Sequence, residues 1–82
     1  MKQYDIGIII NKSEENLNGS YGIIIEDYLK EYFLVEIWNF ELFEGAIIDS
    51  LPKQCLRLAT DEEIKEYKRK FKEYCDRNES PI

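Results

Sequence analysis

Hydrophobic periodicity changes once along this 82-residue chain, at Thr60, and that change confines it to short strands followed by one helix. Downstream of Thr60, residues Ile64, Tyr67, Phe71, Tyr74 and Cys75 recur at helical spacing and make one apolar stripe. The run Thr60-Asp61-Glu62-Glu63 supplies the start as a capping box: the Thr60 hydroxyl accepts the Glu63 N–H while the Glu63 carboxylate reaches back to Thr60. The acidic first turn also suits the positive end of the helix dipole. Glu66 and Lys70 form a favourable i, i+4 pair on the exposed side. The spacing predicts a β unit over residues 1–60, a packed helix over 61–78 and a frayed tail at 79–82, all within one domain.

Upstream, Tyr4 to Ile10 reads as a first strand, rich in β-branched residues. A long polar loop follows, Asn11 to Ser20, with a turn signal at Asn18-Gly19. Tyr21 to Tyr28 and Tyr32 to Asn39, separated by Leu29-Lys30-Glu31, read as an antiparallel hairpin. Phe43 to Asp49 makes a fourth strand with a bend at Gly45, Leu51 to Gln54 a short 3₁₀ turn, and Leu56 to Ala59 a fifth strand. Five short strands in so small a chain favour closure into a barrel, because closure removes edges.

Centring the hairpin turn on Lys30 pairs Ile25 with Val35 and Ile23 with Ile37, so the expected inner face is Ile23, Ile25, Phe33, Val35 and Ile37. The other face then pairs Glu26 with Leu34, Ile24 with Glu36, and Gly22 with Trp38, whose ring would cover the glycine backbone. A slip of one residue exchanges the two faces.

Charge and residue types exclude several function classes. Eleven basic against seventeen acidic residues leave a net charge of −6, a field that repels phosphate backbones and disfavours direct nucleic-acid binding. The acidity resides in residues 1–60, with five basic and ten acidic groups; residues 61–82 carry six and seven. With no histidine there is no Ser-His-Asp or Cys-His pair, and two separated cysteines cannot build a Cys₄ zinc site. No phosphate-cradling glycine motif occurs. Glu26 and Asp27 are strand neighbours that point to opposite faces, and Glu14-Glu15 lacks the spaced oxygen ligands of a calcium loop. The expectation is a non-enzymatic chain with no cofactor and no metal. The apolar run Ile8-Ile9-Ile10 is too short for a membrane span or secretory core, and two thiols without a signal peptide point to the cytoplasm. Cys75, on the helix stripe, is expected to pack as a small hydrophobe, and Cys55 to be structural. Enrichment in Ile, Lys, Asn, Glu and Tyr suggests a bacterial or phage genome.

The aromatic residues carry the functional signal. Tyr28, Tyr32, Trp38, Phe40 and Phe43 gather around the second hairpin, more than one small barrel encloses. Part of that surface is expected to lie under the helix, with Ile64, Tyr67 and Phe71 against Ile24, Leu34 and Trp38. The remainder is a candidate partner site made of Tyr32, Leu34, Glu36, Trp38 and Phe40, because aromatic residues concentrate at interface hot spots. Glu26, Glu36, Glu41 and Glu44 would rim it and favour a basic protein.

The order Tyr21-Gly22-Ile23-Ile24-Ile25, a turn, Phe33-Leu34-Val35-Glu36-Ile37, then Gly45 and Leu56-Arg57-Leu58 resembles bacterial SH3-like small barrels, including KOW-type modules and related stand-alone families. The resemblance covers residues 4–60 and implies a mainly β fold, a five-stranded SH3-like barrel to which the C-terminal amphipathic helix is an addition. KOW-type modules contact RNA or proteins of transcription and translation; this β unit lacks their basic surface. The expectation is a small acidic interaction module, an inhibitor or adaptor, monomeric or weakly dimeric, that binds a basic protein. The alternative is an RNA- or ribosome-associated barrel using Lys65, Lys68, Arg69 and Lys72 of the helix.

Overall fold

A computed structural model describes residues 1–10 and 17–78. It is mainly β: β1 (Ile6–Ile9), β2 (Tyr21–Leu29), β3 (Tyr32–Trp38), β4 (Ala46–Pro52) and β5 (Leu56–Leu58) precede α1 (Asp61–Asn78). The strands form one antiparallel sheet in the order β4-β3-β2-β1-β5. The sheet is open, since β4 and β5 are its two ends and do not pair. Of the loop expected over Asn11–Ser20, residues 11–16 lie outside the described residues, as do the Glu14-Glu15 pair and the tail at 79–82.

Strand limits shift for local reasons. β1 starts at Ile6 rather than Tyr4 because Lys2 to Asp5 closes a turn: the Asp5 N–H donates to the Lys2 carbonyl (3.1 Å) and the Lys2 N–H to the Asp5 carboxylate (2.9 Å). Tyr4 takes φ +69 in that turn. β4 starts at Ala46 rather than Phe43. Asn39 winds the chain into a tight turn by accepting the Leu42 and Phe43 N–H groups on its carbonyl, and Gly45 enters the strand at φ +78. The 3₁₀ turn is Lys53–Cys55.

The hairpin register is corrected on β2. Tyr21 lies opposite Trp38, Gly22 opposite Ile37, Ile23 opposite Glu36 and Ile24 opposite Val35; only Glu26 opposite Leu34 keeps the expected pairing. The loop is two residues long, and two register shifts, one between Leu29 and Glu26 and one between Glu26 and Ile24, each absorb one residue of β2. The inner residue of β2 is therefore Ile24, fully buried, while Ile23 and Ile25 are half-buried. Phe33, Val35 and Ile37 of β3 are buried as expected. Trp38 lies opposite Tyr21 and not Gly22, whose missing Cβ instead admits Leu56, with Cδ1 2.9 Å from where that atom would stand.

Alternation sends side chains into two cores. On the inner face, Ile9, Ile24, Phe33, Val35, Ile37, Leu51 and Leu56 pack together, joining residues of both end strands. Each fully buried aliphatic side chain there contributes about 1.5–3 kcal/mol. On the outer face, Ile8, Tyr21, Trp38 and Ala59 meet Ile64, Tyr67, Phe71 and Tyr74 of α1. The helix thus docks over β1, β2 and the end of β3, with Trp38 as expected but with Ile8 and Tyr21 where Ile24 and Leu34 were expected. Ile24 faces the other core because of the register shifts. Cys75 is exposed rather than packed; adjacent Tyr74 occupies the buried edge of the stripe. Cys55 is buried. The helix begins with the capping box: the Glu63 N–H donates to Thr60 Oγ1 (3.2 Å), and the Thr60 N–H to Glu63 Oε1 (2.9 Å). No helix among the described residues is long and apolar enough to cross a membrane.

Candidate functional site

Tyr32, Leu34, Glu36 and Trp38 alternate along β3 and therefore share its outer face, with Phe40 just beyond the strand. The helix divides this row. Trp38 is 8% exposed, edge-on to Phe71 and Tyr74 at ring separations of 5.1 and 5.4 Å. Phe40 stacks on Trp38 at 5.5 Å and also meets Tyr67 and Tyr74. Tyr21 completes the aromatic cluster, 5.2 Å from Tyr67. Trp38 and Phe40 therefore serve as the seat of the helix, each ring pair adding about 0.5–1.5 kcal/mol beyond its buried area.

The other half of the row stays open. Leu34 and Glu36 are half-buried, and Tyr32 is 40% exposed. Across the ladder, Ile48 stands opposite Glu36 and is 64% exposed, which continues the uncovered surface onto β4. The Trp38 Nε1–H donates to Glu36 Oε1, so one side chain under the helix holds a carboxylate at the border of the open surface. Tyr32 leads at the far end into a hollow of about 430 Å³, lined also by Lys30, Glu31, Pro52 and Lys53. Lys53 there is held by Asp27 at 2.7 Å and lies over the Phe33 ring. Phe43 packs against the inner core, away from this row, and the Tyr28 side chain lies outside the described residues.

Electrostatics follow the same division. Burial, then the charge of Glu36, pushes the Tyr67 hydroxyl up to about 12, and burial followed by Glu66 raises Tyr21. Partial burial opposes the Lys70 charge, but the Glu66 hydrogen bond and the fields of Tyr21, Glu66 and Glu41 outweigh it and raise its pKa. Lys70 lies 3.2 Å from Glu66 and 3.5 Å from Glu41, tying the helix to the loop after β3. Glu41 and Glu44 are exposed, as is Glu26. No cluster of three or more potential metal-ligating side chains occurs among the described residues.

Sequence reasoning missed two parts of this surface. Tyr21 belongs to the aromatic seat, a role its position at a strand start does not announce. Ile47 and Ile48 on the end strand are exposed, and assumed barrel closure hid them. Compared with known protein families, curated proteins and solved structures, the chain matches none.

Proposed function

We propose that this chain is a small acidic interaction module, an inhibitor or adaptor, that binds a basic protein through the uncovered half of its outer sheet face. The observation that carries the reading is the strip made by exposed Tyr32 and Ile48 and half-buried Leu34 and Glu36, with Glu26 across the ladder from Leu34 and Lys30 and Lys53 at the Tyr32 end. Exposed apolar surface that a domain does not cover itself suits a partner, and the net charge of −6 favours a positive one and speeds its approach at low salt. The SH3-like small-barrel reading draws support from the strand order, with β5 beside β1 and a 3₁₀ turn between β4 and β5, and from the shared inner core of Leu51 and Leu56. Cytoplasmic action and a bacterial or phage origin remain expectations from composition.

A second reading has one observation in its favour. Lys65, Lys68 and Lys72 fall at i, i+3 and i+7 on one flank of α1, are exposed, and take part in none of the ion pairs of the described residues, whereas Arg69 is bound to Glu73 at 2.9 Å. That flank suits an RNA backbone.

Capture with the full chain from a native lysate, followed by calorimetry on the purified partner, tests both. A basic protein whose binding weakens on Leu34→Ser, with Lys68→Glu neutral, supports the first reading. Nuclease-sensitive capture with a steep salt slope, abolished by Lys68→Glu, replaces it with the second.

A further inference from the structure

The strand at the open end of the sheet offers a specific vacancy. In β4 the Lys53 N–H just beyond the strand donates to Glu31 (2.9 Å), continuing the pairing of Tyr32 with Pro52 and Phe33 with Leu51. Odd-numbered residues of β4 therefore turn their N–H and C=O groups toward β3, and even-numbered ones turn theirs outward. The outward row is Ala46, Ile48, Ser50 and Pro52. Its second half is closed: the Ser50 N–H donates to the Asp49 carboxylate at 2.8 Å, and Pro52 has no N–H to offer. Upstream, the positive φ of Gly45 ends the strand. What remains is one short ladder segment, with the N–H and C=O groups of Ala46 and Ile48 facing away from the sheet.

The side chains on this segment are apolar and uncovered. Ala46 is exposed, Ile47 is 45% exposed on the inner-face side, and Ile48 is 64% exposed on the outer-face side. A natural edge is normally blunted by charge, proline or a bulge, and here Asp49 and Pro52 do so only over its C-terminal half. Charge along the segment itself has one sign. From Glu41 to Pro52 the sequence holds Glu41, Glu44 and Asp49 and no basic residue, and Glu36 lies across the ladder from Ile48.

We propose that Ala46–Ile48 is a strand-addition site that takes an extended segment of a cationic protein, pairing its backbone with Ala46 and Ile48 while lysine or arginine side chains meet Glu44 and Asp49. Backbone pairing sets the position of the added strand, and alternate side chains give it selectivity. An apolar residue of that strand lies beside Ile48 on the same face as Leu34, so the edge continues the open strip. A second copy of this chain fits the edge less well. Twofold pairing about Ile47 would set Asp49 of each copy opposite Gly45 of the other, next to Glu44, between chains of net charge −6. The inference rests on the reading above that the partner is basic, and it adds the mode of binding.

The test uses the isotope-labelled full chain and three probes: an alternating Lys–Val peptide, the same peptide N-methylated along its backbone, and an alternating Glu–Val peptide. Expected are at least tenfold slower hydrogen exchange at the Ala46 and Ile48 amides with the Lys–Val peptide, at least tenfold weaker binding of the methylated form, and no binding of the Glu–Val peptide. Ile48→Pro removes an N–H that β3 does not use and is expected to weaken the Lys–Val peptide tenfold. If that variant does not fold, the methylated peptide decides alone. Equal binding of the methylated and unmethylated Lys–Val peptides, or no binding of either, overturns strand addition and leaves the basic-partner reading standing. Glu–Val binding as tight as Lys–Val overturns the cationic partner itself. Doubling of mass with protected Ala46 and Ile48 amides before any peptide is added assigns the edge to a second copy and overturns the proposal.

Discussion

Arg57 grips Glu63 with both arms of its guanidinium, Nη1 to Oε1 and Nη2 to Oε2, each at 2.8 Å. The pair ties the last strand to the first turn of α1, and the same carboxylate accepts the Thr60 N–H. First the Arg57 hydrogen bonds and then the Thr60 backbone hold the Glu63 carboxyl down at about 2, well below its ordinary 4.5. A depressed carboxylate stabilises the fold fully above its unfolded value and loses that contribution as pH falls through the folded one. The melting temperature is therefore expected to decline as pH drops from 4.5 toward 2, by a modest amount because the pair is solvent-screened. Glu63→Gln keeps an oxygen for the Thr60 N–H and removes the titration. An acid-side decline of unchanged size in that variant refutes the assignment to Glu63.

The opposite half of the capping box makes a separate prediction. Thr60 Oγ1 accepts the Glu63 N–H at 3.2 Å. Thr60→Ala is expected to cost about 1 kcal/mol, read by chemical denaturation with an unchanged m-value. Thr60→Ser restores most of it. Equal stability of wild type and Thr60→Ala would show that the docked aromatic stripe alone fixes the helix start.

The helix limits and the inner face of β3 were legible because Glu36, between Val35 and Ile37, marks the outer parity of the strand, and Thr60 to Glu63 forms a cap. The phase of β2 was not. Ile23, Ile24 and Ile25 are identical in hydrophobicity, so either parity makes an apolar face, and only the register shifts decide that Ile24 faces inward. The helix seat was half legible for a similar reason. The stripe shows that α1 docks, but strands with apolar residues on both faces do not say where. Tyr74 and Cys75 compete for one edge of the stripe, and the larger ring takes the buried place. The edge at Ala46–Ile48 escaped notice because a closed barrel has no such edge.

Two strand glycines separate backbone from side-chain constraint. A Cβ on Gly7 would stand 2.8 Å from the Arg57 carbonyl, Leu56 Cγ and Met1 Cε. The carbonyl belongs to the β1–β5 pairing and cannot retreat without opening it, so Gly7→Ala is expected to cost about 1–3 kcal/mol. On Gly22 the closest contact is Leu56 Cδ1 at 2.9 Å, the end of a flexible side chain. Its displacement is offset by the reduced backbone freedom of alanine, about 0.5–1 kcal/mol. Thermal melts are expected to rank Gly22→Ala well above Gly7→Ala, and the reverse order would mean that the two strands slide freely there.

The division of the candidate row by α1 predicts different fates for its two exposed-looking aromatics. Phe40 stacks on Trp38 under Tyr67 and Tyr74, so Phe40→Ser removes part of the helix seat. It is expected to cost about 2 kcal/mol, to lower the melting temperature, and to shift Trp38 emission to longer wavelength as the ring gains water. Any loss of partner binding in this variant follows from that loosening. Tyr32 makes none of the ring contacts of the cluster and is 40% exposed at the open end of the row. Tyr32→Ser is expected to stay within about 0.5 kcal/mol of wild-type stability and to weaken binding of the basic partner at least tenfold, about 1.4 kcal/mol. A stable Tyr32→Ser with full affinity removes the hollow beside Lys30 and Lys53 from the interface and confines binding to Leu34, Glu36 and the β4 edge.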